Sequence, residues 1–190
     1  MWRNRGTLLG VALALGSLPS HGEAPPEVLV SEMDYEVPDV QLLRDDGRRV
    51  ALRDEMNDGR AVVLNFIFTN CSSFCPLSSQ TLGEFDRKLG NERQHVHLMS
   101  ISIDPEQDTP TRLREYARRF GAGPEWQHYT GSAKASVAAQ LAFGAYRGDK
   151  MSHTPVTLIR VAHGTSWYRV DGFITPQQLL DEYHHLSAEK

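Results

Sequence analysis

The chain has 190 residues, 40% of them apolar and 23% charged, and its 20 basic and 24 acidic side chains leave a net charge of −4. That length suits one domain around a single apolar core and is short for two. The composition excludes a disordered chain and a polytopic membrane protein, and the mild acidity argues against binding a phosphate backbone such as nucleic acid as the main task.

Residues 1–22 read as a secretory signal peptide. Arg3 and Arg5 form a positive start, Gly6 to Leu18 is apolar, Pro19 breaks the run, and Ser20 and Gly22 are small residues suited to cleavage. The apolar run is shorter than the ~20 residues a helix needs to span a bilayer. Left uncleaved, it would tether the protein to the membrane. In both cases the body is exported, to the periplasm or cell envelope. Residues 23–35, with Pro25-Pro26 and little periodicity, read as a linker. One domain, 36–190, follows.

Val40 and Leu42, then Val50 and Leu52, flank Asp46-Gly47, a two-residue hairpin signal. Ala61 to Phe68 is a continuous apolar run, as in a strand covered on both faces. A helix is expected from about Pro76 to Leu89, with Leu82, Phe85 and Leu89 on one face. Val96 to Ile103 reads as a second buried strand. Thr109-Pro110 caps and opens a helix through Phe120. Trp126 to Tyr129 is a short strand, and Ser132 caps a helix to about Phe143 with Val137 and Leu141 spaced for burial. Val156 to Val161 and Trp167 to Val170 pair across a turn at His163-Gly164, and Thr175-Pro176 opens a last helix carrying Leu179, Leu180 and Tyr183. Alternating buried strands and helices give an α/β fold with helices on both faces of the sheet, made mixed by the closing hairpin.

Cys71 and Cys75, the only cysteines, lie in Thr69-Asn70-Cys71-Ser72-Ser73-Phe74-Cys75-Pro76, between a buried strand and a helix. Ligands bind at the carboxyl ends of strands in open α/β sheets. With Pro76 first in the helix, Cys75 falls at the N-cap, and the positive helix start favours thiolate over thiol. Two thiolates held close form a soft chelate that selects Cu(I). A structural disulfide is the plain alternative. Four-residue helical spacing holds Cβ atoms ~5–6 Å apart, whereas a bridge needs ~3.5–4.5 Å. So short a loop also constrains the unfolded chain weakly, which favours a functional pair.

A third donor would serve Cu(II). Of eight histidines, His153 stands just before a buried strand, in a loop able to fold over the sheet end. His95 and His97 alternate along one strand and read as solvated edge residues; His184 and His185 lie beyond the last helix's apolar face, and His163 in a turn. Met151 reads as an ordinary loop residue. Asp104 and Asp108 read as supports for a turn and for the helix start at Thr109, the alternative being a carboxylate near the thiols that tunes metal release or partner docking.

Taken together, the apolar strand, Cys-x-x-x-Cys-Pro, the stretch Ser102-Ile103-Asp104-Pro105-Glu106-Gln107-Asp108-Thr109-Pro110 and the late His153 resemble the SCO/SenC family from about residue 36 to 186. These are exported or membrane-anchored thioredoxin-like proteins implicated in building the copper centres of cytochrome c oxidase. The resemblance implies a thioredoxin-like mixed sheet flanked by helices, with the hairpin as an N-terminal β-hairpin addition. It implies copper, as Cu(I) or Cu(II), bound by Cys71, Cys75 and His153, with the two cysteines redox-active. The implied partners are a copper-accepting protein such as a cytochrome c oxidase subunit, and a thiol reductant.

Two residues depart from the pattern. Ser152 stands where the family commonly has an aspartate before its histidine, which removes a carboxylate able to orient the imidazole. Thr154-Pro155 resembles the Thr-Pro of thioredoxin-fold disulfide oxidoreductases, where a cis proline faces the dithiol. Copper metallochaperone and thiol–disulfide oxidoreductase therefore both stand as expectations.

Overall fold

In the computed structural model residues 29–188 are described, and the expected signal peptide lies outside them. The strands are β1 (Val30–Met33), β2 (Gln41–Arg44), β3 (Arg49–Ala51), β4 (Ala61–Ile67), β5 (Val96–Ser102), β6 (Trp126–Gly131), β7 (Val156–Arg160) and β8 (Trp167–Asp171). The helices are α1 (Leu52–Met56), α2 (Cys75–Leu89), α3 (Pro110–Arg119), α4 (Ala133–Ala142) and α5 (Pro176–Ala188). One sheet runs β1-β8-β7-β4-β5-β6-β2-β3. β4, β5 and β6 are parallel and the remaining pairs antiparallel, so the expected mixed sheet flanked by helices is present.

β4 and β5 occupy the middle and are buried along their whole length. Their side chains alternate between the two faces, as the period of a strand requires. Val62, Leu64 and Phe66 join Met99, Ile101, Phe143 and Trp167 on one face. Ala61 and Val63 join Leu98, Leu82, Phe85, Leu179 and Tyr183 on the other, under α2 and α5. Thr109 and Ser132 cap α3 and α4 as expected, their hydroxyls accepting from the Arg112 and Ala135 N–H groups at 3.3 and 3.1 Å.

Several expectations need correcting. Part of the stretch read as a linker forms β1, an edge strand that finds its antiparallel partner in β8. The hairpin turn holds three residues, not two: Arg44 N–H donates to Arg48 O at 2.9 Å and Gly47 N–H to Arg44 O at 2.8 Å, with Gly47 at φ 90°. That left-handed third position is the one a three-residue loop reserves for glycine. Leu52 belongs not to the hairpin but to α1. In α4 the buried face is Ala135, Ser136, Ala139 and Gln140, while Val137 is half-buried and Leu141 is 60% exposed. Small and polar side chains fill the buried positions of this helix, and its bulky leucine is turned outward. No peptide bond among the described residues is cis, so Thr154-Pro155 is trans and gives no support to the oxidoreductase analogy.

Candidate metal centre

β4 ends at Ile67, and the chain then turns sharply, with Cys71 N–H donating to Phe68 O at 3.1 Å. α2 begins at Cys75 itself, with Phe74 as the preceding cap residue and Pro76 second in the helix. Cys75 is thus the first helical residue and not the N-cap. The consequence is chemical: the first N–H of the helix, that of Cys75, points at Cys71 Sγ, 3.5 Å away. Ser73 Oγ lies 3.4 Å from the same sulfur. Both cysteines are free thiols, buried beside Phe68 with Phe74 and Ile103 packed around them.

The two sulfurs differ. Burial pushes the Cys71 thiol up, but the hydrogen bonds from Cys75 and Ser73 outweigh it, and the net shift is downward. For Cys75 burial pushes the same way as its hydrogen bond to Cys71, and the thiol rises far above its ordinary range. The helix start therefore activates Cys71, the loop cysteine, rather than the cysteine inside the helix.

Asp108 fixes the loop that carries Cys71. Its carboxylate is 1% exposed. It accepts from Thr69 Oγ1 at 2.5 Å, Thr69 N–H at 3.2 Å and Ser102 Oγ at 2.6 Å. Its supporting role thus reaches beyond the helix start at Thr109 to the dithiol loop. Asp104, also buried, accepts from Lys150 Nζ at 2.6 Å and so fastens the 150–152 turn that precedes His153.

His153 is buried, and its ring packs against that of Phe74, with centroids 5.5 Å apart. Nε2 lies 3.2 Å from Phe66 O. A carbonyl only accepts, so Nε2 carries the proton and Nδ1 presents a lone pair. Nδ1 is buried with no hydrogen-bond partner. A metal-ligating histidine ordinarily donates its other N–H to a carboxylate or a backbone carbonyl. Phe66 O fills the place that Ser152 leaves without a carboxylate. Burial also lowers the imidazole's pKa and keeps the ring neutral, as a ligand must be.

The donor chemistry therefore fits copper, while the arrangement is not a closed site. Among the described residues no three His, Cys, Asp or Glu side chains stand together at metal-holding distance. Phe74 packs on His153 from the cysteine loop itself, so the third donor joins the sulfurs only if the loop or the ring shifts. The other histidines are elsewhere. His95 is exposed in the 90–95 turn and His184 pairs with Glu92. His97, expected at a solvated edge, is buried, with Nδ1 3.0 Å from Glu55 O and Nε2 3.0 Å from Tyr129 OH. Met151 is 71% exposed in its loop. The Asp108–Thr69 and His153–Phe66 contacts went unread in the sequence, because their partners lie 39 and 87 residues away.

The family model of SCO1/SenC matches residues 31–187. A SCO1 protein homolog of Bacillus subtilis is 29% identical over 139 residues, covering 73% of this chain and 69% of that protein. SCO1 homolog 1 of Arabidopsis thaliana mitochondria is 33% identical over 106 residues, 55% of this chain and only 30% of that longer protein. The solved structure of BsSco, described as a member of the Sco family of cytochrome c oxidase assembly proteins with a disulfide switch, superposes with a TM-score of 0.69. It is 25% identical and covers 84% of this chain and 98% of that one. Copper-bound ScoI of Arabidopsis thaliana gives a TM-score of 0.67 at 24% identity, covering 79% and 96%, and establishes the thioredoxin-like fold.

Proposed function

Because the chain belongs to the SCO1/SenC family, we propose that it is an exported copper metallochaperone that carries copper on Cys71, Cys75 and His153 and delivers it to a cuproenzyme such as cytochrome c oxidase. The observation that carries this reading is the paired state of the donors. One sulfur is activated by a helix N–H, the second belongs to the residue that supplies that N–H, and a neutral imidazole with an unpartnered Nδ1 packs on the loop between them. The two thiolates supply a soft grip for Cu(I), and the imidazole adds the nitrogen that Cu(II) prefers. The ion leaves by ligand exchange with an acceptor protein. Because both thiols must lose protons to bind, affinity falls as pH drops.

Export to the periplasm or cell envelope is part of this proposal, on the strength of Arg3, Arg5 and the apolar run that follows them, with 1–22 as signal peptide, a linker from 23 and one thioredoxin-like domain over 36–190. Anaerobic titration of the reduced protein with Cu(I) tests the reading. One tight equivalent is expected, abolished in the Cys71→Ser/Cys75→Ser variant. A folded, reduced protein that takes up no copper would overturn it.

The unequal sulfurs favour a second reading, thiol–disulfide exchange on an oxidase subunit or another exported client. Cys71 as thiolate attacks a client disulfide, forming a mixed disulfide and releasing one client thiolate. Cys75 then resolves it, so that the client leaves reduced and Cys71–Cys75 is oxidised, to be reset by an external dithiol reductant. The relative with a disulfide switch supports this reading. Turnover of a model disulfide with that reductant present, lost in Cys71→Ser, is its test.

A further inference from the structure

At the opposite end of β4 from the dithiol, about 20 Å away by the rise of a seven-residue strand, a cleft of about 210 Å³ opens between the α1–β4 loop and the β7–β8 turn. Arg60, Arg160 and His163 line it together with Asn57 and the main chain at Gly59 and Gly164, and no acidic residue does. Arg60 is held by Asp58 and Glu125, which leaves Arg160, among the described residues, as the cation of this lining without an ion-pair partner.

Arg160 is the telling residue. It is 9% exposed, its guanidinium lies over the Trp167 ring at 5.0 Å, and its Nη2 donates to Met56 O. Among the described residues no carboxylate stands within ion-pair distance of it. A buried cation is costly unless it is paired. The nearest acid, Asp58, is committed elsewhere: its Oδ2 bonds Arg60 at 2.5 Å and lies 3.2 Å from His97 Nδ1. Arg60 in turn spans Asp58 and Glu125. The guanidinium of Arg160 thus meets the cleft with donors to spare.

His163 closes the other side. It has φ 58°, among the described residues the one non-glycine in the left-handed region, and this conformation brings its ring over Gly59, where a Cβ would lie 3.6 Å from Cε1. A Cβ at Gly59 would meet that ring at ordinary van der Waals distance, but φ 96° is a backbone conformation that favours glycine there. The turn therefore presents an imidazole to the same space that Arg160 faces.

We propose that this cleft is a binding site for one small oxyanion, a phosphate or a carboxylate, held between the Arg160 guanidinium and the His163 imidazole. Planar, forked donors suit such oxygens. The anion supplies the countercharge that the fold withholds from Arg160. The site is independent of copper and of the thiols.

The test follows the His163 ring signals by NMR while the reduced full chain is titrated with inorganic phosphate and, separately, with acetate, chloride holding ionic strength constant. A saturable shift is expected with at least one anion, and the tighter of the two identifies the oxyanion class. Arg160→Met is expected to weaken binding about tenfold, the loss of one charge-assisted hydrogen bond. Should that variant fail to fold, His163→Asn decides the matter, since asparagine tolerates the left-handed turn, and binding read from the amide signals of Gly59 and Gly164 should weaken several-fold. Non-saturating shifts with both anions, or undiminished affinity in the variants, would overturn the proposal.

Discussion

The Nε2–H of His153 donates to the main-chain carbonyl of Phe66 at 3.2 Å, across 87 residues of sequence. That bond favours the tautomer with the proton on Nε2, which would leave Nδ1 to face a metal in the proposed site, without the carboxylate help that an aspartate at position 152 would give. His153→Ala should therefore lower Cu(II) affinity by tenfold or more, while Cu(I) binding by the two sulfurs and exchange with a model disulfide stay within a few-fold of the parent. Competition titrations with a chromophoric chelator measure the first, and thiol-release assays the second. Unchanged Cu(II) binding would remove His153 from the ligand set.

Cys71 should react first. Its thiol is lowered and that of Cys75 raised, so iodoacetamide near neutral pH is expected to label Cys71 at least about tenfold faster. The rate should fall as pH drops, with a midpoint below that of an ordinary thiol. Peptide mapping of partially alkylated protein reads both. Preferential labelling of Cys75 would reverse the assignment of attacking and resolving sulfur.

Asp108 anchors the dithiol loop through Thr69 and Ser102. Asp108→Asn should cost about 1.5–3 kcal/mol, the scale of hydrogen bonds to a buried charge, seen as a lower urea midpoint. It should also shrink the reactivity gap between the two cysteines, because Thr69 sits two residues before Cys71. A variant that lost stability and left that gap intact would confine Asp108 to the helix start.

His128 ties stability to acidity. It is fully buried beside Trp126, their ring centroids 5.0 Å apart, with neither ring nitrogen hydrogen-bonded. Burial lowers its pKa from 6.5 to about 3. Between those values the unfolded chain holds a proton that the folded chain refuses, so stability rises with pH by about 1.4 kcal/mol per unit and its full value is reached above 6.5. His97, lowered mainly by burial, acts in the same direction. Urea midpoints at pH 4 to 7 should fall more shallowly on acidification in His128→Phe than in the parent, with the His97 contribution remaining. An unaltered slope would contradict this account.

The elements legible in the sequence were those with local signatures. The apolar run of β4, the Thr109-Pro110 and Ser132 caps and the cysteine motif each declare themselves within a few residues. What escaped reading depends on distant partners. β1 is mostly exposed and becomes a strand only because β8 offers it an edge. In α4 the apolar pattern points to the wrong face, because side-chain size alone puts Val137 and Leu141 inside, whereas Ala135, Ser136, Ala139 and Gln140 are buried and Leu141 is not. The site divides the same way. Cys71 and Cys75 stand out by their motif, but which sulfur is activated depends on α2 beginning at Cys75, one residue earlier than the expected start at Pro76.

Both donor-bearing loops hang from one short stretch of chain. Asp108 grips the cysteine side at Thr69, Asp104 grips the histidine side at Lys150, and Ser102 Oγ joins them by donating to Asp108 and accepting the Asp104 N–H. Residues 102–108 thus act as a common bracket. Any displacement of this bracket would therefore shift the mounts of the cysteine loop and of His153 together, so the two loops keep their relative placement through residues that carry neither thiol nor imidazole.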